Sequence, residues 1–317
     1  MNKRNELPFS PKYVIVYLII FCSFFSPRLA FSANSAAEQE YQIRVKLGEQ
    51  GIIIKLSFEK YLCGVLKGEV SFSWPLEALK AMAVSARTYT FNQLEKNRDR
   101  DYDIMNSVFN QVYQAGAPHL NILQAVRETN EEVVTYQGKL AAVFYHCSSG
   151  GKTANIADIW PSENNFPYLS GVDDPYSIQP EKYYPWKRTF DLESFSRKFS
   201  GLGRIKKLRI LEKDSSGRVK NIELSGEKRT YELTGKEFRY TMNLDLKQTD
   251  KNYFPSTLLF SEPEIKEERI IFTGYGSGHG VGLSQWGAKK MAEEGISYED
   301  ILRHYFPGTE IGKVMLK

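Results

Sequence analysis

The first regular pattern in the sequence is an alternation of apolar and polar residues. Ile43, Val45 and Leu47 alternate with polar neighbours, and a second apolar run at residues 52–56 follows a glycine-flanked turn. Because successive side chains of a strand point to opposite faces, this pattern predicts a β-hairpin over residues 41–56.

A helical spacing of apolar residues replaces this alternation from residue 58. A helix over residues 58–69 places an apolar set on one face: Phe58, Leu62, Val65 and Leu66. Glu69 falls on the same face of this helix. A second helix is predicted to begin near residues 73–75, where a capping serine and an early proline precede Glu77.

The middle of the chain predicts a mixture of helices and antiparallel strands. Residues 119–132 predict a third helix, and residues 132–149 predict a second hairpin whose return strand runs over 140–147. Residues 190–242 predict a small α+β insertion that begins with a helix at 192–199 and continues with three short strands. We therefore expect an α+β fold in which helices and antiparallel hairpins surround one cleft.

Residues 1–35 have the features of an export signal. Basic residues precede an apolar run at 13–25, which has the length of a signal-peptide core and is short for a membrane span of about 20 residues. Small residues offer cleavage after Ser32 or Ser35, and a retained N-terminal anchor is the alternative. The folded domain is predicted to span residues 41–312.

Composition excludes some classes of function. The 317 residues are 42% hydrophobic and 25% charged, as in ordinary globular proteins. The net charge of +4 comes largely from the export signal, which contains four basic residues and one acidic residue. The remaining domain is close to neutral, which argues against nucleic-acid binding. Its two cysteines, Cys63 and Cys147, are predicted to be free thiols, and a disulfide between them in an oxidising compartment is the alternative.

Glu69 is unusual because it is a carboxylate on an apolar helix face. Burial against Val65 and Leu66 and a position in the last helical turn both disfavour its ionised form, which suits a general acid. Arg87 and Tyr89 on the next helix are expected to limit this effect or to orient the group. On spacing alone, a glutamate that extends into solvent from a helix end is the more frequent alternative.

Glycine occupies every second position from Gly274 to Gly282, and His279 lies within this run. A strand without one row of side chains allows another backbone or a ligand to approach closely. Within this run, no glycine completes the phosphate motif G-x-G-x-x-G, and the motif G-K-[ST] does not occur. A lone histidine is usually structural, but this setting favours a functional His279. Ser284 is predicted to cap the helix that follows.

The stretch Tyr-His-Cys-Ser-Ser-Gly-Gly-Lys-Thr at residues 145–153 ends a predicted strand at a double glycine. A simple turn is one explanation for it, and a binding loop is another. A third possibility is that Cys147 meets His279 and acts as a cysteine nucleophile.

Taken together, three stretches resemble the SpoIID/LytB family. The opening signature is Tyr-Leu-x-Gly-Val-Leu-x-x-Glu at 61–69, continued by Trp-Pro-x-Glu-Ala-Leu-Lys-Ala-x-Ala-Val-x-Ala-Arg-Thr-Tyr at 74–89. The middle signature is Ser-Ser-Gly-Gly-Lys-Thr at 148–153, and the closing one is Gly-His-Gly-Val-Gly-Leu-Ser-Gln-x-Gly-Ala at 278–288. The resemblance spans about residues 45–312.

The resemblance implies an exported peptidoglycan lytic transglycosylase with Glu69 as its essential acid. Its substrate would be glycan strands, stripped of stem peptides by an N-acetylmuramoyl-L-alanine amidase, in sporulation, division or wall turnover. Candidate substrate contacts follow: Arg87, Tyr89, Ser148, Ser149, His279, Ser284 and Gln285. Some relatives contain a Cys/His zinc site, but residues 95–118 contain neither residue type. No metal and no cofactor are therefore implied.

Two further hypotheses stay open at this point. One is a non-catalytic wall-binding protein that positions or activates an amidase. The other is a cysteine hydrolase built on Cys147 and His279. A member that has lost activity is expected to lack the acid, so the presence of Glu69 favours the enzyme.

Overall fold

The computed structural model describes residues 41–314 of the chain, apart from 49–50, 108–109, 161–165, 179–183, 245 and 248. The predicted export signal lies outside the described residues. No helix in the described part is both long enough and apolar enough to cross a membrane.

The chain forms two compact units. Unit 1 contains the described residues of Met1–Trp74, Met82–Ala142 and Thr309–Lys317, and unit 2 contains those of Pro75–Ala81 and Val143–Gly308. The elements up to residue 140 are β1 (Gln42–Leu47), β2 (Ile52–Ser57), α1 (Phe58–Glu69), α2 (Leu76–Lys96), β3 (Ile104–Asn106), α3 (Leu120–Glu128), β4 (Glu132–Tyr136) and β5 (Lys139–Leu140).

The elements that follow are β6 (Tyr145–His146), α4 (Ile156–Ile159), β7 (Trp186–Asp191), α5 (Leu192–Lys198), β8 (Ile205–Lys213), β9 (Val219–Gly226), β10 (Thr230–Thr234), α6 (Gly235–Asn243), β11 (Leu258–Leu259), β12 (Glu264–Lys266), β13 (Arg269–Tyr275), β14 (Leu283–Ser284), α7 (Gln285–Glu293), α8 (Tyr298–Tyr305) and β15 (Glu310–Lys313). Short 3₁₀ turns occupy Pro167–Leu169 and Pro175–Ile178. The mixed α+β class predicted from the sequence is confirmed.

Unit 1 is built on two small sheets. In one, β1 pairs antiparallel with β2 and parallel with β3, and in the other β4 lies between β5 and β15. The predicted first hairpin and the helix over 58–69 are confirmed. The third helix ends at Glu128, four residues earlier than predicted, because Thr129 caps it and β4 begins at Glu132.

The second predicted hairpin is wrong in its return strand. Residues 139–140 pair with β4 as expected, but β6 pairs in parallel with β14. The other edge of β4 is occupied by β15. An alternating pattern indicates a strand and its faces, but it does not identify the pairing partner, and here the partner lies near the end of the chain.

Unit 2 contains a large aromatic core. The helix and three strands predicted within residues 190–242 are present as α5, β8, β9 and β10, and these strands form one antiparallel sheet in the order β10-β9-β8. The core of this block also includes Trp186, Phe254 and Phe272, which lie outside the predicted insertion. That residues 190–242 form a distinct insertion stays a prediction.

The glycine-rich run is not the strand that the sequence predicts. β13 ends at Tyr275, and the glycines at 276, 278, 280 and 282 have φ of 70°, 105°, 89° and 73°. These values lie in the left-handed region, which glycine adopts without steric cost. Alternate glycines therefore coil this segment into a loop instead of extending it.

Candidate functional site

Glu69 is the last residue of α1 in unit 1. The buried residues of this helix anchor it, and Val70 ends the helix by donating its backbone N–H to the Leu66 carbonyl. Glu69 itself is only partly buried, and the backbone N–H of Val112 donates to its Oε1 at 2.9 Å. One carboxylate oxygen is therefore held by a fixed main-chain donor.

Two glycines of α1 allow the 111–114 segment to reach Glu69. A Cβ on Gly68 would lie 2.3 Å from the Val112 carbonyl oxygen, and one on Gly64 would lie 2.2 Å from the Tyr113 ring. The Gln114 backbone N–H donates to the Gly64 carbonyl at 3.0 Å. The glycine face of the helix thus determines how closely the donor for Glu69 approaches.

The side chains of Gln111 and Asn106 also fix the 111–114 segment. Gln111 is fully buried, accepts from the Tyr61 hydroxyl at 2.8 Å and donates to the Ala86 carbonyl at 3.0 Å. Asn106 accepts from the backbone N–H of Tyr113 and donates to its carbonyl. The partners of Gln111 lie 50 and 25 positions away, and the Asn106 bonds join residues of an irregular segment, so sequence periodicity gave no signal for either residue.

The charge of Glu69 acts on two tyrosines, Tyr89 and Tyr61. Burial, with a smaller contribution from the charge of Glu69, raises the pKa of Tyr89 to about 12. Burial also raises the pKa of Tyr61 well above its usual value, and Tyr89 and Glu69 add to that shift. Both phenols therefore keep their protons at neutral pH, and the Tyr61 hydroxyl donates its proton to Gln111.

Arg87, a predicted substrate contact, is 1% exposed inside unit 1. Its guanidinium donates to the carbonyls of Val126 and Glu132, and Glu59 lies 3.8 Å away as an ion-pair partner. Burial lowers the pKa of Arg87. A cation at the last carbonyls of α3 stabilises the end of that helix. These contacts give Arg87 a structural role, and direct substrate contact stays a prediction.

The middle and closing signatures meet in unit 2. Ser148 and Ser277 exchange two backbone hydrogen bonds of 3.0 and 2.8 Å, and the Ala154 N–H donates to the Gly280 carbonyl. The Ser148 side chain is buried and lies 3.4 Å from the Ser177 carbonyl. The two signatures therefore form one backbone-paired loop pair.

His279 is held as a neutral ring in this loop pair. Its Nδ1 accepts from the Val281 N–H at 3.1 Å, and the ring also bonds to the Tyr145 carbonyl. Burial, with Arg239 as the next cause, lowers the pKa of His279 to about 3. The Trp160 ring lies 4.8 Å away between centroids and the His146 ring 5.5 Å away. This geometry makes His279 a poor base for a cysteine nucleophile.

Ser149 and Ser284 belong to a buried polar network. The Ser149 hydroxyl donates to Asp174 Oδ2 at 2.7 Å, and the Tyr305 hydroxyl donates to Oδ1 at 2.9 Å. Ser284 accepts from the Ser149 N–H at 3.2 Å and caps α7 by accepting from the Gly287 N–H, as predicted. Because Asp174, Ser149 and Ser284 are all completely buried, this network stabilises the loops from within.

Arg218 is a residue that the sequence analysis missed. It is 1% exposed, and its guanidinium donates to the carbonyls of Ser149 at 2.7 Å and Lys152 at 3.0 Å. A Cβ on Gly280 would lie 2.4 Å from the Arg218 Cζ atom. Burial lowers its pKa to about 10, which leaves it a cation. Arg218, in the turn between β8 and β9, therefore contacts both signature loops of unit 2 and holds them in place.

The remaining predicted site residues have less distinctive surroundings. Gln285 is buried at the first position of α7. Neither Cys63 nor Cys147 forms a disulfide, and burial raises the pKa of Cys63 to about 11. Among the residues that the structure describes, no three His, Cys, Asp or Glu side chains are grouped to hold a metal ion.

That the three signatures share one cleft stays a prediction.

Comparison with known proteins identifies the family. Residues 46–136 match the family model described as Stage II sporulation protein, and residues 161–282 match a domain of unknown function (DUF8618). An uncharacterized protein of Brachyspira hyodysenteriae is 33% identical over 271 residues, which cover 82% of this chain and 68% of that protein. The chain belongs to the SpoIID family.

Other SpoIID-family relatives carry descriptive names. Stage II sporulation protein D of Bacillus amyloliquefaciens is 29% identical over 276 residues, which cover 81% of this chain and 75% of that protein. The amidase enhancer of Bacillus subtilis is 29% identical over 294 residues, which cover 79% of this chain and 40% of that protein. The SpoIID match includes Glu69 and the 111–114 segment, whereas His279 and Arg218 fall in the second match.

Proposed function

We propose that this SpoIID-family chain is an exported peptidoglycan lytic transglycosylase in which Glu69 acts first as general acid and then as general base. The observation that supports this most is the placement of Glu69. It ends a helix whose apolar residues are buried, a backbone N–H holds one of its oxygens, and the two tyrosines on which its charge acts are neutral. A single oriented carboxyl group is what the reaction requires.

In the proposed reaction, Glu69 in its acid form donates a proton to the glycosidic oxygen as the bond from C1 to that oxygen breaks. The resulting carboxylate accepts the proton of the sugar's own 6-hydroxyl, and O6 forms a new bond to C1. The product is a 1,6-anhydro-muramyl end, and no water is consumed. Glycosidases that hydrolyse usually need a second carboxylate.

The other predicted contacts fall into two groups by burial. Tyr89 and His279 are partly exposed, and we propose that they contact the sugar directly. The rest are buried, and we propose that they influence binding through the loops they hold: Arg87, Ser148, Ser149, Ser284 and Gln285.

The mass of the reaction products tests this function directly. We expect the chain to release fragments from peptide-stripped glycan strands whose muramic acid ends are one water lighter than hydrolysis products. A reducing muramic acid end would indicate hydrolysis with a second carboxylate and would contradict the proposal.

A second candidate function is supported by the relative named amidase enhancer. In this alternative the chain binds the wall without cleaving it and increases the activity of an amidase. The Glu69→Gln chain separates the two functions. Stimulation of an N-acetylmuramoyl-L-alanine amidase by this variant, together with no release of anhydro ends by the native chain, would favour the enhancer.

A further inference from the structure

Three aromatic rings lie together at one end of the sheet formed by β7, β11, β12 and β13 in unit 2. The rings of Tyr184 and Tyr275 stack with centroids 4.2 Å apart and planes at 22°. Phe260 meets Tyr275 edge-on, with centroids 5.8 Å apart. We call these three residues the aromatic platform.

The sheet register explains why the platform faces away from the core. Along β13, Ile270, Phe272 and Gly274 are buried, so Tyr275 and Thr273 point to the opposite face. A Cβ on Gly274 would lie 2.4 Å from the Trp186 ring, so the inner face at that point is already filled. Phe260 pairs beside Thr273 through its backbone N–H and so neighbours Tyr275 diagonally.

The platform is exposed although its residues are aromatic. Phe260 is 65% exposed, and Tyr184 and Tyr275 are each only partly buried. Single exposed rings are common on protein surfaces, whereas these stacked and adjoining rings form a contiguous apolar patch, the kind of surface found at binding sites when it is large. Lys187 pairs with Thr273 in the adjacent strand, so hydrogen-bonding side chains border the rings.

The platform is also attached rigidly to the signature loops of unit 2. A Cβ on Gly150 would lie 2.8 Å from the Gly276 nitrogen and 3.0 Å from the Tyr275 carbonyl carbon. The Ser256 hydroxyl donates to the Tyr275 carbonyl at 2.5 Å. The chain passes directly from Tyr275 into the glycine-rich loop. The rings are therefore preorganised next to the segment with the closing signature, which lowers the entropic cost of binding.

We propose that the aromatic platform binds the glycan strand itself, as a subsite for its β-linked N-acetylated amino sugars. A pyranose ring has a flat face of C–H groups, and these partially positive groups suit the negative face of an aromatic ring. Its equatorial hydroxyl and acetamido groups then point sideways toward polar neighbours such as Lys187 and Thr273. The identity of the glycan rests on the proposed function, whereas the presence of the subsite rests on the rings.

Binding measured without cleavage tests the platform. The full chain with Glu69→Gln is titrated with soluble β-1,4-linked N-acetylglucosamine oligomers and incubated with insoluble peptide-stripped sacculi. Leucine replaces Phe260 or Tyr184, because leucine keeps the apolar character but removes the flat ring. We expect each replacement to weaken binding to both probes by about three- to tenfold.

Tyr240→Leu is the matched control, because Tyr240 is 59% exposed and lies on α6 of the same unit, outside the platform. This substitution is expected to leave the affinity for both probes unchanged. Binding equal to that of the Glu69→Gln parent in both Phe260→Leu and Tyr184→Leu would overturn the platform, as would a parent that binds neither probe. If Tyr184→Leu loses its fold by circular dichroism, the exposed Phe260→Leu decides. Because cleavage by the native chain is measured separately, failure of the proposed enzyme is distinguishable from failure of the platform.

Discussion

Glu69 and His279, the two side chains that the sequence singles out most clearly, are both partly exposed but differ in their hydrogen bonds. Glu69 is partly exposed, with one oxygen bound to a backbone N–H. His279 has hydrogen bonds from its ring to Val281 and Tyr145, and its low pKa keeps it uncharged. These surroundings are consistent with the proposal that Glu69 transfers the protons and that a neutral His279 shapes the loop and contacts sugar.

The neutral state of His279 predicts a pH-dependent stability. Burial lowers its folded pKa to about 3, below the ordinary value of 6.5, so the unfolded chain binds the proton first. The free energy of unfolding is therefore highest above pH 6.5. Between pH 6.5 and pH 3 the titration of this one group lowers it by about 1.4 kcal/mol per pH unit. The free energy of unfolding is measured with urea at several pH values between 4.5 and 7. When it is plotted against pH, the slope should be shallower for His279→Gln than for the native chain. His119→Gln, at an exposed histidine, should keep the native slope, and an unchanged slope in His279→Gln would refute this account.

The cysteines are predicted to be dispensable for catalysis. Burial raises the pKa of Cys63 to about 11, which keeps this thiol protonated and unreactive. Cys147 has no suitable base in His279, whose ring nitrogens are already engaged. We expect Cys147→Ser to retain near-native turnover and iodoacetamide to leave the native chain active. A folded but inactive Cys147→Ser variant would contradict this prediction and support the cysteine hydrolase hypothesis.

Sequence reasoning found some site residues and missed others for a physical reason. The family signature and local helical spacing identify Glu69. Arg218 bonds to carbonyls 66 and 69 positions earlier in the chain, and Tyr305 bonds to Asp174 across 131 positions. No local pattern signals a partner that far away. Residues that hold distant loops by hydrogen bonds are therefore found only in the three-dimensional structure.

At the scale of elements, α1 and the 111–114 segment act together to orient Glu69. Replacing a glycine by alanine within a helix usually stabilises it by up to about 1 kcal/mol. In Gly68→Ala the new Cβ would meet the Val112 carbonyl oxygen at 2.3 Å and displace the neighbouring donor of Glu69. We expect turnover to fall by about 10²-fold with little change in substrate binding, because a small misplacement of a catalytic group is costly.

Lys60→Ala is the matched control for this prediction, since Lys60 is an exposed residue of the same helix. Its turnover should equal that of the native chain. If Gly68→Ala is also fully active, the segment does not position Glu69.

The elements themselves were largely predictable, but their partners were not. Periodicity correctly predicted α1, the first hairpin and the elements of the 190–242 block. It failed where a strand pairs with a distant segment, as β6 does with β14. It also failed at the glycine-rich run, because an alternation of glycines permits a left-handed coil as readily as a strand.

At the scale of the whole molecule, the two units contain different parts of the proposed activity. Unit 1 contains Glu69, and unit 2 contains the paired signature loops and the aromatic platform. Within each unit, the sequence predicted individual helices and hairpins, such as α1 and the first hairpin of unit 1. A single cleft that unites the signatures stays a prediction, because no local pattern encodes the arrangement of units.

The family resemblance predicts a preference among wall substrates. We expect removal of the stem peptides to leave the flat faces of the sugar rings accessible to the proposed platform. We expect faster release of anhydro ends from amidase-treated sacculi than from intact sacculi. Equal rates on both substrates would contradict an upstream amidase step.

The central claim is that Glu69 supplies both proton transfers, and Glu69→Gln tests it most directly. Glutamine keeps the shape of the side chain but can neither deliver nor accept the proton. On peptide-stripped strands, the release of 1,6-anhydro-muramyl ends should fall by about 10²- to 10⁴-fold while the fold and glycan binding remain. Glu95→Gln, at an exposed carboxylate of α2, should release these ends at the native rate. Near-native release by the Glu69→Gln chain would contradict the account.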